Sequence, residues 1–204
     1  MKYLFIILSL TLTFAGFSQK FEGSIFAGLT ASQVDGDTWS GFNRAGLNAG
    51  VCVALPLSAK FVGQIEIKYT QKGSYKGQRP DAGDYNTYGM KLHYIEMPFI
   101  VKYLYKPKIN FEAGLAFGYL ADWKENYNGI PITEARPFNK YEFSWLIGGN
   151  YQLFKKLTFN IRYSYSVLPI RKNPGASLYW SKRGQFNNVV CFSFYYKLGN
   201  GDDK

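Results

Sequence analysis

Cysteine and histidine are nearly missing from this chain of 204 residues, which contains two cysteines and one histidine. A Cys/His zinc site or a disulfide scaffold needs more of these residues, so we expect no metal site and no cofactor. Aromatic residues, by contrast, make up 19% of the chain, which excludes a disordered protein. The length predicts a single domain.

Long apolar runs are absent beyond the N-terminus. Met1 and Lys2 precede an apolar and hydroxyl-bearing run over residues 3–15, and the small residues Gly16 and Ser18 precede Gln19. This pattern predicts a signal peptide over residues 1–18, cleaved before Gln19, and one mature domain over residues 19–204. After residue 18, no stretch approaches the roughly 20 apolar residues of a membrane-spanning helix. If the exported chain crosses a membrane, it must do so as a barrel.

Alternation of apolar and polar residues predicts eight strands. The clearest segment is 157–167, where Leu, Phe, Ile, Tyr and Val alternate strictly with Thr, Asn, Arg and Ser. Such alternation indicates a strand whose two faces lie in different surroundings. The predicted strands cover residues 21–31, 45–57, 63–70, 92–104, 110–120, 141–151, 157–167 and 189–198.

The connections between these strands alternate in length. Short turns are expected at residues 58–60, 105–109 and 152–156, and long segments at 32–44, 71–91, 121–140 and 169–188. This rhythm is typical of outer-membrane proteins. We therefore predict an all-β, eight-stranded antiparallel up-and-down transmembrane β-barrel in the outer membrane, with short periplasmic turns and four longer extracellular loops.

Two soluble folds are alternatives. A lipocalin-like barrel also has eight up-and-down strands, but its polar face would have to cover a water-exposed surface. Here the polar face carries isolated charges among glycine and alanine, which suits the crowded interior of a narrow barrel. A soluble β-sandwich would not explain the alternation of short and long connections.

Three segments carry a family resemblance: Gly46–Gly50, Glu66–Gly73 and Leu92–Tyr103, the last with the pattern Tyr-x-Glu-x-Pro-x-x-x-Lys-Tyr. In order along the mature chain, they resemble the PorT-type outer-membrane β-barrel family. The resemblance implies a small eight-stranded barrel of the OmpA/OmpX-like kind, but no particular activity. Some relatives are secretion accessory factors, so the resemblance also implies that role as an option.

Strand parity places seven charged residues on the inward face. Because buried ions are tolerated when they are paired, we expect these residues to form an ion-pair network that fills the lumen. Arg162 is expected to pair with Glu142 or Glu112. Cys52 and Cys191 also face inward and are expected to be free thiols, since a strand separates them. The predicted network comprises Glu66, Lys68, Glu96, Lys102, Glu112, Glu142 and Arg162.

The last long loop is basic and aromatic. Such a surface can bind nucleic acid. An exported barrel rarely encounters nucleic acid, however, so we expect no nucleic-acid partner. The expected partners are outer-membrane lipids with lipopolysaccharide phosphates, the barrel assembly machinery during biogenesis, and an unidentified envelope protein. The candidate contact surface comprises Arg171, Lys172, Tyr179, Trp180, Lys182 and Arg183.

Catalysis has little support in the sequence. Some small outer-membrane barrels are lipid-modifying enzymes with a Ser/His pair, yet the spacing places no serine beside His93, the sole histidine. We expect no catalytic residues and a non-enzymatic scaffold that acts through its extracellular loops, with a secretion accessory role as one form of it. A lipid-modifying enzyme and a small-solute channel are the alternatives.

Overall fold

The computed structural model describes residues 21–37, 39–132, 137–172 and 184–199. The predicted signal peptide lies outside these residues. Within the described ranges, no helix has the length and apolarity needed to cross a membrane.

Eight long strands form one closed antiparallel barrel, which confirms the predicted fold. Each strand pairs with its neighbours along the chain, and pairing between the first and last strands closes the sheet. A two-residue strand, β6, pairs with the end of β5, and a 3₁₀ turn covers Pro80–Ala82. The strands are β1 (Glu22–Asp35), β2 (Arg44–Pro56), β3 (Phe61–Lys76), β4 (Tyr88–Lys106), β5 (Ile109–Tyr127), β6 (Ile130–Pro131), β7 (Tyr141–Gln152), β8 (Leu157–Ser166) and β9 (Phe186–Lys197).

The two faces of the barrel have opposite polarity over the central part of the strands. Arg162 is 2% exposed while its neighbour Ile161 is 45% exposed, and Glu66 is fully buried while Ile67 is 58% exposed. The outer surface is therefore an apolar band suited to lipid, and the charges point into the lumen. Closure also pairs the backbone of every long strand on both sides, as a membrane requires.

Several strands extend further toward the long loops than the sequence predicted. β3 continues to Lys76 rather than residue 70, and β4 begins at Tyr88 rather than residue 92. In this outer part the polarity of β4 reverses, because Met90 and Leu92 are completely buried while Lys91 is exposed. On the neighbouring β3, the buried side chains at this level remain polar, namely Lys72 and Ser74. Apolar side chains inside and charges outside suit a barrel wall that stands in water above the membrane. Because of this reversal, a pattern that expected polar residues inside did not detect the start of β4.

A β-bulge marks the place where the polarity reverses. His93 pairs with Asp122 but Tyr94 pairs with Leu120, so Ala121 is an extra residue on β5. The extra residue shifts the inward-facing positions of β5 from even to odd numbers. Glu125 consequently points into the barrel.

Buried apolar residues close the extracellular end of the lumen. We call this group the apolar cap. Trp39, Trp123 and Ile132 pack against it from the side. Its members are Val34, Tyr88, Met90, Leu92, Tyr94, Leu120, Phe138 and Ile170.

A glycine on β1 allows close approach of the neighbouring strand. A β-carbon on Gly28 would overlap the carbonyl oxygen of Phe192 and lie 2.6 Å from the hydroxyl oxygen of Ser193, both on β9. On the same strand, a β-carbon on Gly23 would meet nothing within 4 Å. The seam that closes the barrel therefore tolerates no side chain at Gly28.

We expect Gly28→Ala to lower the denaturant midpoint of the detergent-refolded barrel, because β1 and β9 must move apart to admit the methyl group. The matched change Gly23→Ala should leave the midpoint within experimental error. Heat-modifiable gel mobility across a urea series measures both. Equal midpoints for the two variants would contradict the close packing of this seam.

Candidate functional site

The lower cluster, on the side of the short turns, consists of Arg162, Glu66 and Glu112. Arg162 on β8 donates Nη1 to Glu66 Oε2 at 2.7 Å and Nη2 to Glu66 Oε1 at 2.9 Å. Its Nε donates to Glu112 Oε1 at 2.7 Å. One guanidinium on β8 thus ties β3 and β5 together across the lumen.

Neutral side chains complete the hydrogen bonding of the lower cluster. The Tyr195 hydroxyl donates to Glu66 Oε1 at 2.9 Å, and Gln64 Nε2 donates to the same atom at 2.6 Å. Asn150 and Asn160 donate to the two oxygens of Glu112, each at 2.9 Å. Such saturation is what makes buried carboxylates tolerable.

The middle cluster contains two lysines and two glutamates. Lys68 Nζ lies 3.0 Å from Glu96 Oε2, and Lys72 bridges Glu96 and Glu142, at 2.7 Å from Glu142 Oε1. Asn187 donates to the other oxygen of Glu142 at 2.7 Å. Of the two partners expected for Arg162, Glu112 is confirmed and Glu142 is wrong, because Glu142 lies one layer higher and its positive partner is Lys72.

The upper cluster joins Arg171 to Glu125 beside the apolar cap. Arg171 makes a bidentate pair with Glu125 at 2.7 and 2.9 Å, and its Nε donates to Gln185 at 2.8 Å. The guanidinium lies 4.3 Å from the ring centre of Phe138, and the Tyr88 hydroxyl donates to Glu125 at 2.5 Å.

The position of Arg171 corrects the predicted loop contact surface. Arg171 is 2% exposed, so it is a structural residue of the barrel and not part of that surface. Lys172 is exposed beside it. Tyr179, Trp180, Lys182 and Arg183 lie outside the described residues, and their contact role stays a prediction.

Lys102 faces the lumen but differs from the other six predicted network residues. It is half-buried, and among the described residues no carboxylate lies within ion-pair distance of its ammonium group. Its Nζ lies 5.4 Å from the ring centre of Tyr195, and its backbone pairs with that of Glu112. Lys102 thus supplies a second positive charge near a cluster that holds two carboxylates and one guanidinium.

Sequence reasoning missed three charges of the interior: Lys72, Glu125 and Arg171. The sequence predicts a loop at Lys72, but the polar residues at even positions of β3 continue through it. This alternation was the signal that the strand extends further: Lys68, Thr70, Lys72, Ser74 and Lys76. The inward direction of Glu125 could not be predicted, because the bulge at Ala121 changes which positions of β5 face inward. Arg171 lies beyond the end of β8, where no strand pattern predicts its direction.

A cleft opens at the extracellular end between the β1–β2 loop and the β3–β4 hairpin. It encloses about 640 Å³ and is lined by Trp39, Asn43, Tyr75, Lys76, Arg79 and Asp84, among others. Lys76 Nζ lies 4.2 Å from the ring centre of Trp39 and pairs with Asp84. The hydrogen bond from Lys76 lowers the pKa of the Asp84 carboxyl, whereas burial raises the pKa of nearby Asp37 to about 6.

Tyr75 and Arg79 are exposed at the cleft. An aromatic ring beside a cation, with amide side chains around them, can bind sugars and anionic groups. We call this set of residues the extracellular cleft.

His93 is hydrogen-bonded to a phenol. Its Nδ1 is hydrogen-bonded to the Tyr69 hydroxyl at 2.5 Å, and Gln71 Nε2 donates to the same hydroxyl at 2.8 Å. Cys52 and Cys191 are buried free thiols. In the part of the chain that the structure describes, no three His, Cys, Asp or Glu residues are arranged to hold a metal ion.

We expect Arg162→Met to destabilise the barrel by about 3–5 kcal/mol, because Glu66 and Glu112 would stay buried without their shared counter-charge. The adjacent outward change Ile161→Leu should be nearly silent, since lipid accepts either side chain. Urea unfolding in detergent micelles or lipid vesicles, followed by tryptophan fluorescence, measures the difference.

Neutralising all three residues of the lower cluster separates the effect of an unpaired charge on stability from the effect of changed side-chain shape. The triple variant Glu66→Gln/Glu112→Gln/Arg162→Met should recover much of the stability lost in Arg162→Met, because no unpaired charge remains. If Arg162→Met unfolds at the wild-type midpoint, or if the triple variant is the least stable of the set, the lower cluster does not hold the barrel as described.

The solved structure of Neisserial surface protein A has this architecture. Neisserial surface protein A is 11% identical, with a TM-score of 0.56 over 86% of this chain and 97% of that chain. Ail, the attachment invasion locus protein of Yersinia pestis, is 11% identical, with a TM-score of 0.48 over 88% of this chain and 99% of that one. No curated protein matches the sequence.

The family assignment comes from the sequence match. A family model described as an outer membrane protein β-barrel domain matches residues 17–171, which is most of the chain. The lipid-suited outer band, the closed sheet and the paired interior are what such a domain requires. The chain therefore belongs to the outer membrane protein β-barrel domain family, and its location is the outer membrane.

Proposed function

We propose that this protein is a non-enzymatic barrel of the PorT type that works as an interaction scaffold through its extracellular end. One observation carries the proposal: three ion-pair clusters and the apolar cap fill the interior from the level of Arg162 to the extracellular end. Because the lumen is occupied and the apolar outer band contacts lipid, the extracellular end is the surface that can bind a partner outside the cell. A secretion accessory role is one form that such a scaffold takes.

The filled lumen argues against a solute channel. A solute crossing the middle cluster would have to separate Lys72 from Glu96 and Glu142, and breaking a buried pair costs several kcal/mol. The apolar cap adds a second barrier, because an ion would lose its water shell there.

The surroundings of His93 argue against a lipid-modifying enzyme. A histidine that activates a serine needs the hydroxyl within about 3 Å. The partner of His93 Nδ1 is instead a phenol, whose own position is fixed by Gln71. This arrangement fixes the imidazole ring of His93 in place, and it does not position the imidazole to activate a serine nucleophile.

The extracellular cleft is the surface we assign to the partner. Tyr75 and Arg79 are exposed there, and Lys76 is held against Trp39, so aromatic and cationic groups are presented together. Lipopolysaccharide phosphates and an envelope protein are the partners that this chemistry supports, besides the assembly machinery that any such barrel meets.

We expect no pore-sized conductance from purified protein in planar bilayers, because the three clusters and the cap block the lumen. Single-channel recording of a preparation free of porins measures this, with a known porin as positive control. Steady steps in the nanosiemens range would contradict the filled interior.

Co-purification from outer membranes tests the scaffold directly. We expect a stoichiometric partner with the wild type, and its loss in Tyr75→Ala/Arg79→Ala. The matched change Tyr85→Ala removes an exposed tyrosine of the same loop outside the cleft lining and should retain the partner. Retention by the double variant, or altered lipid A in a deletion strain, would contradict the proposal, and the second result would favour the enzyme.

A further inference from the structure

The end of the barrel with the short turns is strongly basic. Six lysines lie there, and Glu22 is the only acid beside them among the described residues outside the lumen. We call these lysines the lysine rim. Glu22 pairs with Lys197 at 2.6 Å. The rim comprises Lys60, Lys106, Lys108, Lys155, Lys156 and Lys197.

Among the described residues, the opposite end mixes charges of both signs. Around the extracellular strand ends, exposed or half-buried acids are interspersed with the exposed lysines Lys91, Lys124 and Lys140. Asp122 and Lys124, for example, follow each other closely on β5. The one-signed charge is therefore a property of the periplasmic end and not of the whole basic chain.

The rim surrounds the barrel rather than covering one side. Lys60 lies in the β2–β3 turn, Lys106 and Lys108 in or beside the β4–β5 turn, and Lys155 and Lys156 in the β7–β8 turn, with Lys197 ending β9. A folded protein partner would dock against one sector of such a ring. A bilayer leaflet contacts all sectors at once.

Exposed apolar side chains accompany the rim lysines. Leu57 is 56% exposed in the turn with Lys60, Tyr105 is 55% exposed beside Lys106, and Phe154 is 71% exposed beside Lys155. Lysine stems and aromatic rings of this kind lie at the boundary between acyl chains and headgroups. The combination places the ammonium groups at the level of lipid phosphates.

We propose that the lysine rim binds the headgroups of anionic phospholipids in the periplasmic leaflet of the outer membrane. Each lysine near an anionic surface strengthens the association roughly fivefold, and salt screens the effect. Lysine suits this task because its ammonium is a mobile point charge that follows a fluid headgroup. The rim thereby fixes the depth and orientation of the barrel, whatever its extracellular end binds.

Lipid selectivity of the reconstituted barrel tests the proposal. Electron paramagnetic resonance with spin-labelled phosphatidylglycerol or phosphatidylcholine, in phosphatidylcholine vesicles, reports the fraction of each lipid immobilised at the protein. We expect the wild type to prefer phosphatidylglycerol several-fold, and the preference to fall in high salt. Lys60→Gln/Lys108→Gln/Lys156→Gln should lose most of the preference, while unchanged heat-modifiable mobility verifies folding.

The control removes the same charge from the other end. Lys91→Gln/Lys124→Gln/Lys140→Gln should keep most of the preference, which separates a local effect of the rim from an effect of net charge. A wild type without preference, or equal losses in the two triple variants, would overturn the proposal. So would an acidic protein that co-purifies through the rim lysines while no lipid preference is seen.

Discussion

The guanidinium of Arg162 is the contact on which the interior depends. It reaches from β8 to Glu66 on β3 and Glu112 on β5, so it connects strands that no backbone ladder joins. A closed sheet satisfies all of its backbone hydrogen bonds, but its lumen must then be filled with side chains or with water. Paired charges fill it here, and they do so in layers that each bring opposite charges together.

The polarity of β4 reverses where the barrel leaves the membrane. Around Glu96 the interior is charged and the exterior apolar, whereas further along β4 Met90 and Leu92 face inward and Lys91 faces outward. The bulge at Ala121 adjusts the parity of β5 at this level. In the upper part of the barrel, apolar side chains of β4 therefore share the lumen with the buried polar side chains Lys72 and Ser74 of β3.

The sequence predicted the eight strands, the closed barrel and the inward direction of the seven charges, because period-two alternation is a local property. It could not predict which charges meet. Arg162 finds Glu66 across the lumen, and that encounter depends on the stagger of strands distant in the chain. Arg171 joins the interior for the same reason, since its partner Glu125 lies 46 residues earlier and changes face through a single extra residue.

Hydrogen exchange at the Arg162 guanidinium tests the central claim, that Arg162 and its two carboxylate partners lie in a closed interior. Side-chain NMR of the barrel in micelles can resolve the Nε–H of Arg162, with the exposed Arg79 as internal reference. The bonds to Glu66 and Glu112 predict an Arg162 signal that persists long after the Arg79 signal has exchanged with solvent. Exchange of both signals at the same rate would show a hydrated lumen and contradict this account.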